Sequence, residues 1–311
     1  MADICLALGG GGIKGVAHLG AIRKLEEEGF TIKAISGTSA GSIVGALYAC
    51  GYSVDEIMEI FNSIDQSQMF GHEQNDRVSI LGIRGLKTLL STLLGSSTFQ
   101  DTKIPFACTA VDINTSKEIV IKEGPLLQAM VASSAVPGVF PPVQAGEFLL
   151  VDGGVLDPVP VTLARYLAPE LPVFAVSLSA IPREHDRMAP FQMPKNSPIP
   201  STIVDQVSKL RISQAIKIFL QSMEITSRMI AQLQEELDPP DVMIRPDVEE
   251  FFMLDKVPFD VLFERGYFAA SKMVHEMQES ISWSNNLKRH FRQSRSPEWV
   301  EYHSDGLYHG K

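Results

Sequence analysis

The chain has 311 residues, 45% of them hydrophobic and 21% charged, with a formal net charge of −10. Such a composition supports a sizeable buried core and excludes a disordered polyelectrolyte. Its charge argues against nucleic acid as a partner, because a polyanion would be repelled over most of the surface, and against docking on anionic membranes by charge alone.

Three cysteines, Cys5, Cys50 and Cys108, lie in apolar stretches. Their odd number and their setting point to buried thiols rather than to a disulfide framework. No basic stretch precedes the first apolar run, and no run reaches the ~18 residues that would cross a bilayer. The expected address is the cytoplasm, with peripheral membrane contact at most.

In chain order, Ile4 to Leu8 reads as a buried strand that runs into four glycines. A helix is expected from Lys14 to Gly29, on the spacing of Val16, Leu19, Ile22 and Leu25. Ile32 to Ser36 reads as a second strand and Ala40 to Cys50 as a second helix. Further strands are expected at Phe106 to Val111, Glu118 to Ile121, Phe148 to Val151 and Val173 to Leu178, with a helix from Leu126 to Ser134. Asp157-Pro158 is expected to open the next helix, with the carboxylate as N-cap and the proline in the first turn.

Residues 182–200 carry five prolines and read as an extended surface segment. A long helix is expected over 203–237, with Ile212, Ile216, Phe219, Met223, Ile230, Leu233 and Leu237 on one stripe that packs on the core; an acyl-chain lid or a partner-binding helix is the alternative. A strand from Asp241 to Arg245 and a helix from Phe259 to Ser282 follow. The predicted architecture is a three-layer α/β/α domain over 1–282 around a central, mostly parallel sheet. A polar, loosely held tail completes it over 283–311, where the basic cluster Lys288 to Arg292 with Arg295 reads as a solvated helix end.

Three motifs carry the chemistry. Gly37-Thr38-Ser39-Ala40-Gly41 stands between a strand and a helix, where small neighbours leave a serine hydroxyl free on a sharp turn. Gly9 to Gly15 follows the first strand and opens a helix, so its amides can converge on a phosphate or on the oxyanion of an acyl-transfer intermediate. Asp152-Gly153-Gly154 ends a strand, and by itself would be an ordinary turn aspartate. None of the seven histidines stands where a base for Ser39 is expected: His18 is on the first helix, His185 in the proline-rich segment, His303 and His309 in the tail. A carboxylate is therefore the expected proton acceptor, sufficient if it is desolvated and within hydrogen-bond reach.

Gly10-Gly11-Gly12-Ile13-Lys14-Gly15, Gly37 to Ser42 and Asp152 to Gly154, in that order, resemble the three signature blocks of the patatin-like phospholipases. VASSAVPGVFPPV (131–143) and DGGVLDPVPV (152–161) are similar to the bacterial branch of that family. The likeness covers about residues 4–180 and extends faintly to 241–248.

The resemblance implies hydrolysis of acyl esters in lipids by a Ser39–Asp152 dyad, with Gly10, Gly11 and Gly12 as oxyanion donors. Lys14, Gly15, Gly37, Gly41, Gly153 and Gly154 would support them, with no metal and no cofactor. Lys14 stands where arginine is frequent, which keeps the charge and loses the bidentate fork. Asp157 stands where several relatives have asparagine.

Rival readings are a dinucleotide-binding protein, since Gly10-x-Gly12-x-x-Gly15 also fits that fingerprint, and a same-fold acyltransferase or non-catalytic regulator. Against the dinucleotide, the second strand ends without an acidic residue for a ribose.

Overall fold

The computed structural model describes residues 1–64, 82–179, 204–253, 255–282 and 299–303, the stretch 204–217 by its backbone alone. The proline-rich segment and the basic cluster therefore lie outside the described residues.

β1 (Ala2–Leu8) lies parallel to β2 (Phe30–Thr38), and α1 (Ala17–Glu27) crosses between them. The helix expected from Lys14 begins as a 3-10 turn over Gly12–Val16, because Gly12 sits at φ 60 and delays the α conformation. α2 (Ala40–Ala49) follows β2 directly. α3 (Val54–Ser63) and α4 (Arg84–Leu94) occupy a stretch to which no element was assigned from sequence. α3 opens with a capping box, in which Ser53 Oγ accepts the Glu56 amide and the Glu56 carboxylate accepts the Ser53 amide.

Next come β3 (Phe106–Asp112), β4 (Lys117–Ile121), α5 (Leu126–Ser133), β5 (Val143–Ala145), β6 (Phe148–Asp152) and α6 (Val161–Leu167). After them run β7 (Val173–Val176), α7 (Val204–Leu237), β8 (Val242–Ile244), α8 (Phe259–Lys272), α9 (Val274–Ser280) and β9 (Val300–Glu301). Among the described residues the sheet has nine strands; its main path runs β5-β6-β3-β2-β1-β7-β8, with β4 and β9 attached beside β3. Strands β3-β2-β1-β7-β8 are mutually parallel, and β4, β5 and β6 supply the antiparallel pairs.

The two sheet faces differ in bulk. Ile4, Leu6 and Leu8 point into the large core shared with α1, α2, α5 and α8, whereas Cys5 and Ala7 face α6. That alternation is the period-two pattern of a strand covered on both sides. The expected three layers are present.

Three expectations need correction. No helix opens at Asp157-Pro158: α6 begins at Val161 behind Pro160. The chain from 157 to 160 instead lies across the sheet edge, its carbonyls accepting from Thr38 Oγ1, the Gly10 amide and Ser36 Oγ. The helix expected over 259–282 breaks at Met273, which has φ −98 and ψ 5. Within the expected loose tail, Val300–Glu301 pairs with β4 and the Trp299 ring stands edge-on to Tyr166, so this piece covers an otherwise open strand edge.

α7 is anchored at its C-terminal end by Arg165, which is buried and pairs with Asp238 at 3.2 Å and Asp241 at 3.8 Å. Removing one partner of a buried ion pair leaves an uncompensated charge, so Arg165→Ala is expected to lower unfolding stability by about 3 kcal/mol. Urea denaturation followed by circular dichroism measures this, and an unchanged midpoint would show that the anchor carries no stability.

Candidate active site

Ser39 stands between the last residue of β2 and the first of α2, at φ 52 and ψ −122. A non-glycine residue holds that backbone only when its surroundings impose it. Here they do. The Ser39 amide donates to Ser133 Oγ at 2.9 Å, and the Ser39 carbonyl accepts from Ser42 Oγ at 2.6 Å and from the Ser42 amide at 2.9 Å. One residue earlier, Thr38 Oγ1 donates to the Asp157 carbonyl at 2.8 Å and therefore accepts from Thr109 Oγ1 at 2.8 Å. Gly41 is required by approach: a Cβ there would collide with the Leu8 carbonyl.

The Ser39 hydroxyl donates to Asp152 Oδ2 at 2.6 Å. β6 delivers Asp152 beside β3, where it is in register with Ala110, and its other oxygen accepts the Gly154 amide at 2.7 Å. Both side chains are almost wholly buried, Ser39 at 7% and Asp152 at 6% exposure. Burial pushes the Asp152 carboxyl up to about 6, while the hydrogen bonds from Ser39 and Gly154 pull it down. A carboxylate with that affinity is unprotonated at neutral pH, yet basic enough to take a proton in a transition state.

The glycine loop packs directly on the serine: a Cβ on Gly10 would stand 3.3 Å from Ser39 Cβ. The Gly10 amide is already committed to the Pro158 carbonyl at 3.0 Å, so it is not the free donor that was expected. Gly11 and Gly12 head the 3-10 turn, and among the described residues their amides have no acceptor.

His18 makes no hydrogen bond to Ser39. Its Nε2 donates to the Gly9 carbonyl at 2.8 Å, and burial pushes it down to about 4, so it is a neutral prop beneath the loop. The Lys14 ammonium, expected as a supporting group, is buried and paired with Glu224 of α7 at 2.6 Å. It ties the loop to that helix.

Several groups near the site carried no functional assignment from sequence: Ser133, Thr109, Glu224 and Glu118, which meets Asp157, burial raising both carboxyls. Ser133 lies in the 131–143 block and Asp157 in the 152–161 block that carried the resemblance, whereas Thr109, Glu224 and Glu118 are distant in sequence with no motif to mark them.

Above Ser39 opens a cavity of about 430 Å³. Its walls are apolar, among them Ile43 of α2, Phe61 of α3, Leu86 and Leu89 of α4, Phe140 and Phe259. The volume falls in the usual range for small-molecule sites, ~300–1,000 Å³.

α7 closes one side of this region. Leu220 and Met223 pack with Val136, Val139 and Phe140, whereas Phe219, Leu233 and Leu237 of the expected inward stripe are 46–67% exposed. Ile218, Ile225 and Met229 are also about half exposed. From residue 218 onward the helix touches the body along one narrow strip, so the expected packing of the stripe is not met there; the side chains of Ile212 and Ile216 lie outside the described residues.

The sequence matches the patatin-like phospholipase family over residues 6–165, the stretch that holds the glycine loop, Ser39 and Asp152. The chain belongs to this family. Within the wider group of family relatives, an uncharacterized NTE family protein of Mycobacterium tuberculosis is 35% identical over 179 residues, 57% of this chain and 49% of that protein. Lysophospholipase NTE1 of Mycosarcoma maydis is 30% identical over 305 residues, 88% of this chain and 15% of that protein. The match thus spans about half the length of the mycobacterial relative and a small part of the fungal one. Among solved structures, VipD from Legionella pneumophila is similar with a TM-score of 0.54 and 13% identity, over 88% of this chain and 66% of that one, a likeness of fold. No helix among the described residues is long and apolar enough to cross a membrane.

The raised Asp152 carboxyl has a measurable consequence for stability. With a folded value of about 6 against an ordinary 3.8, the folded state binds more protons than the unfolded state between about pH 4 and pH 6. Stability contributed by this group is therefore present at low pH and lost as pH rises through that window. Asp152→Asn removes the loss, so its stability relative to wild type is expected to improve by on the order of 3 kcal/mol between about pH 4 and pH 7.5. Thermal unfolding at both pH values tests it, and a constant difference would show that Asp152 is not desolvated.

Proposed function

We propose that the chain is a lipid acyl hydrolase acting on carboxylic esters of lysophospholipids, phospholipids or related lipids. The observation that carries this reading is the 2.6 Å hydrogen bond to a buried aspartate from Ser39, which lines an apolar cavity. Membership of the patatin-like phospholipase family and the lysophospholipase relative support the choice of substrate.

In this mechanism the acyl chain lies in the cavity and the ester carbonyl meets Ser39. Oγ attacks the carbonyl carbon while Asp152 Oδ2 takes the hydroxyl proton. The amides of Gly11 and Gly12 stabilise the resulting oxyanion, helped by the positive N-terminal end of α2. Collapse returns the proton from Asp152 to the departing alcohol and leaves an acyl-Ser39 ester. Water then attacks that ester, Asp152 accepts its proton, and the fatty acid departs as Ser39 regains its hydrogen. The half-exposed apolar row on the outer side of α7 supports peripheral contact with a lipid aggregate.

A fluorophosphonate probe should label wild type and not Ser39→Ala; equal labelling of the two would remove Ser39 as nucleophile. Asp152→Asn should lower ester turnover by about 10²–10⁴-fold with the fold retained. In wild type, kcat/KM should climb with pH and level off above about 6, since the base must be unprotonated. A rate independent of pH between about 4.5 and 7.5 would remove Asp152 as base.

A further inference from the structure

A second cleft, of about 340 Å³, opens on the other side of α7, lined by Ser177, Ser179, Arg228, Gln232, Glu235 and Arg245 among others. It lies at the carboxyl ends of the parallel strands, because Ser177 follows β7 and Arg245 follows β8. Ser39 follows β2 at the same sheet edge, and the order β2-β1-β7-β8 sets the cleft one to two strands beyond the glycine loop. Leu178, between the two serines, packs against Gly11 and so separates the cleft from the catalytic loop. Ligands of open α/β sheets bind outside this edge.

The cations in the cleft differ in state. Arg245 is paired with Glu235, and the exposed Glu236 accepts from Gln232 at 3.3 Å. Arg228 meets no carboxylate and no hydrogen-bond acceptor among the described residues, and its Nε is shut off from solvent. Arg228 is partly buried, and among the described residues its guanidinium has no oxygen of the kind that its fork is built to bind. Nearby, the Ser177 hydroxyl donates to the Ser179 carbonyl and accepts the Ser179 amide, both at a long 3.4 Å, so its proton is only weakly engaged. Donors arriving from α7 and from the end of β7 suit a tetrahedral oxyanion better than a planar carboxylate.

We propose that this cleft is a binding site for a phosphate group, held by the Arg228 guanidinium and the Ser177 hydroxyl. The group is either free phosphate or the headgroup phosphate of a lipid. The assignment rests on the cleft's own contacts; only the headgroup source rests on the hydrolase reading.

Calorimetric titration of the Ser39→Ala protein, which cannot turn over an ester through Ser39, tests it with inorganic phosphate and with glycerophosphocholine. Binding of either is expected, weakened about ten- to hundred-fold in Arg228→Gln and less in Arg228→Lys, which keeps charge without the fork. Stronger binding of inorganic phosphate identifies the free ion as the source. Stronger binding of the glycerophosphodiester, with a raised KM for lysophospholipid and an unchanged KM for a neutral p-nitrophenyl ester in Arg228→Gln, identifies the headgroup.

No binding of either compound, or equal affinity in wild type and Arg228→Gln, overturns the proposal. Ser177→Ala, a smaller change, gives the same reading should Arg228→Gln fail to fold. Binding is read independently of hydrolysis, so a failed Ser39 assignment would leave this result standing.

Discussion

The arrangement depends on keeping a non-glycine residue, Ser39, at φ 52 on the junction of β2 and α2. Left to itself that residue would relax to a negative φ, and its hydroxyl would swing away from Asp152. Contacts with four segments distant in the chain prevent this. Ser133 holds the amide, the Thr38–Thr109–Asp157 relay holds the preceding residue, and the close passage of Gly41 over Leu8 leaves α2 a single seat. The strain is borne by the sheet edge as a whole, so the serine needs no flexible partner to find its position.

Burial then sets the chemistry. A serine hydroxyl is a poor nucleophile unless a base stands ready, and a solvated aspartate is too weak a base to help. Shutting Asp152 away from water beside Ser39 raises its proton affinity, while the Gly154 amide and the Ser39 hydroxyl keep the carboxylate from staying protonated. His18 offers no alternative base, being neutral and occupied under the Gly9 carbonyl.

α7 connects these features. Its inner strip reaches the cavity wall through Leu220 and Met223, the glycine loop through Glu224 and Lys14, and the second cleft through Arg228. Its C-terminal end is fastened by Arg165 and by Gln234, which donates to the Leu156 carbonyl at 2.9 Å. From residue 218 onward, these polar contacts and the short apolar strip of Leu220 and Met223 hold the helix, and its outer residues remain uncovered.

From sequence alone came the strand-to-helix turn at Ser39, the amide-rich loop at 9–15, the strand ending at Asp152 and the α/β layering, because each is written in local spacing: apolar runs, glycine clusters and a small-residue turn. α3 was legible too, in the Ser53–Glu56 capping box, and went unassigned. Other features were decided by tertiary structure. Gly10 loses its amide to Pro158, Asp157 becomes a buried relay rather than a helix cap, and Lys14 meets a partner 210 positions away. Those outcomes turn on which hydrogen-bonding groups meet once the sheet edge assembles. Local pattern determines what each segment can form, and only the folded chain determines which donors are still free.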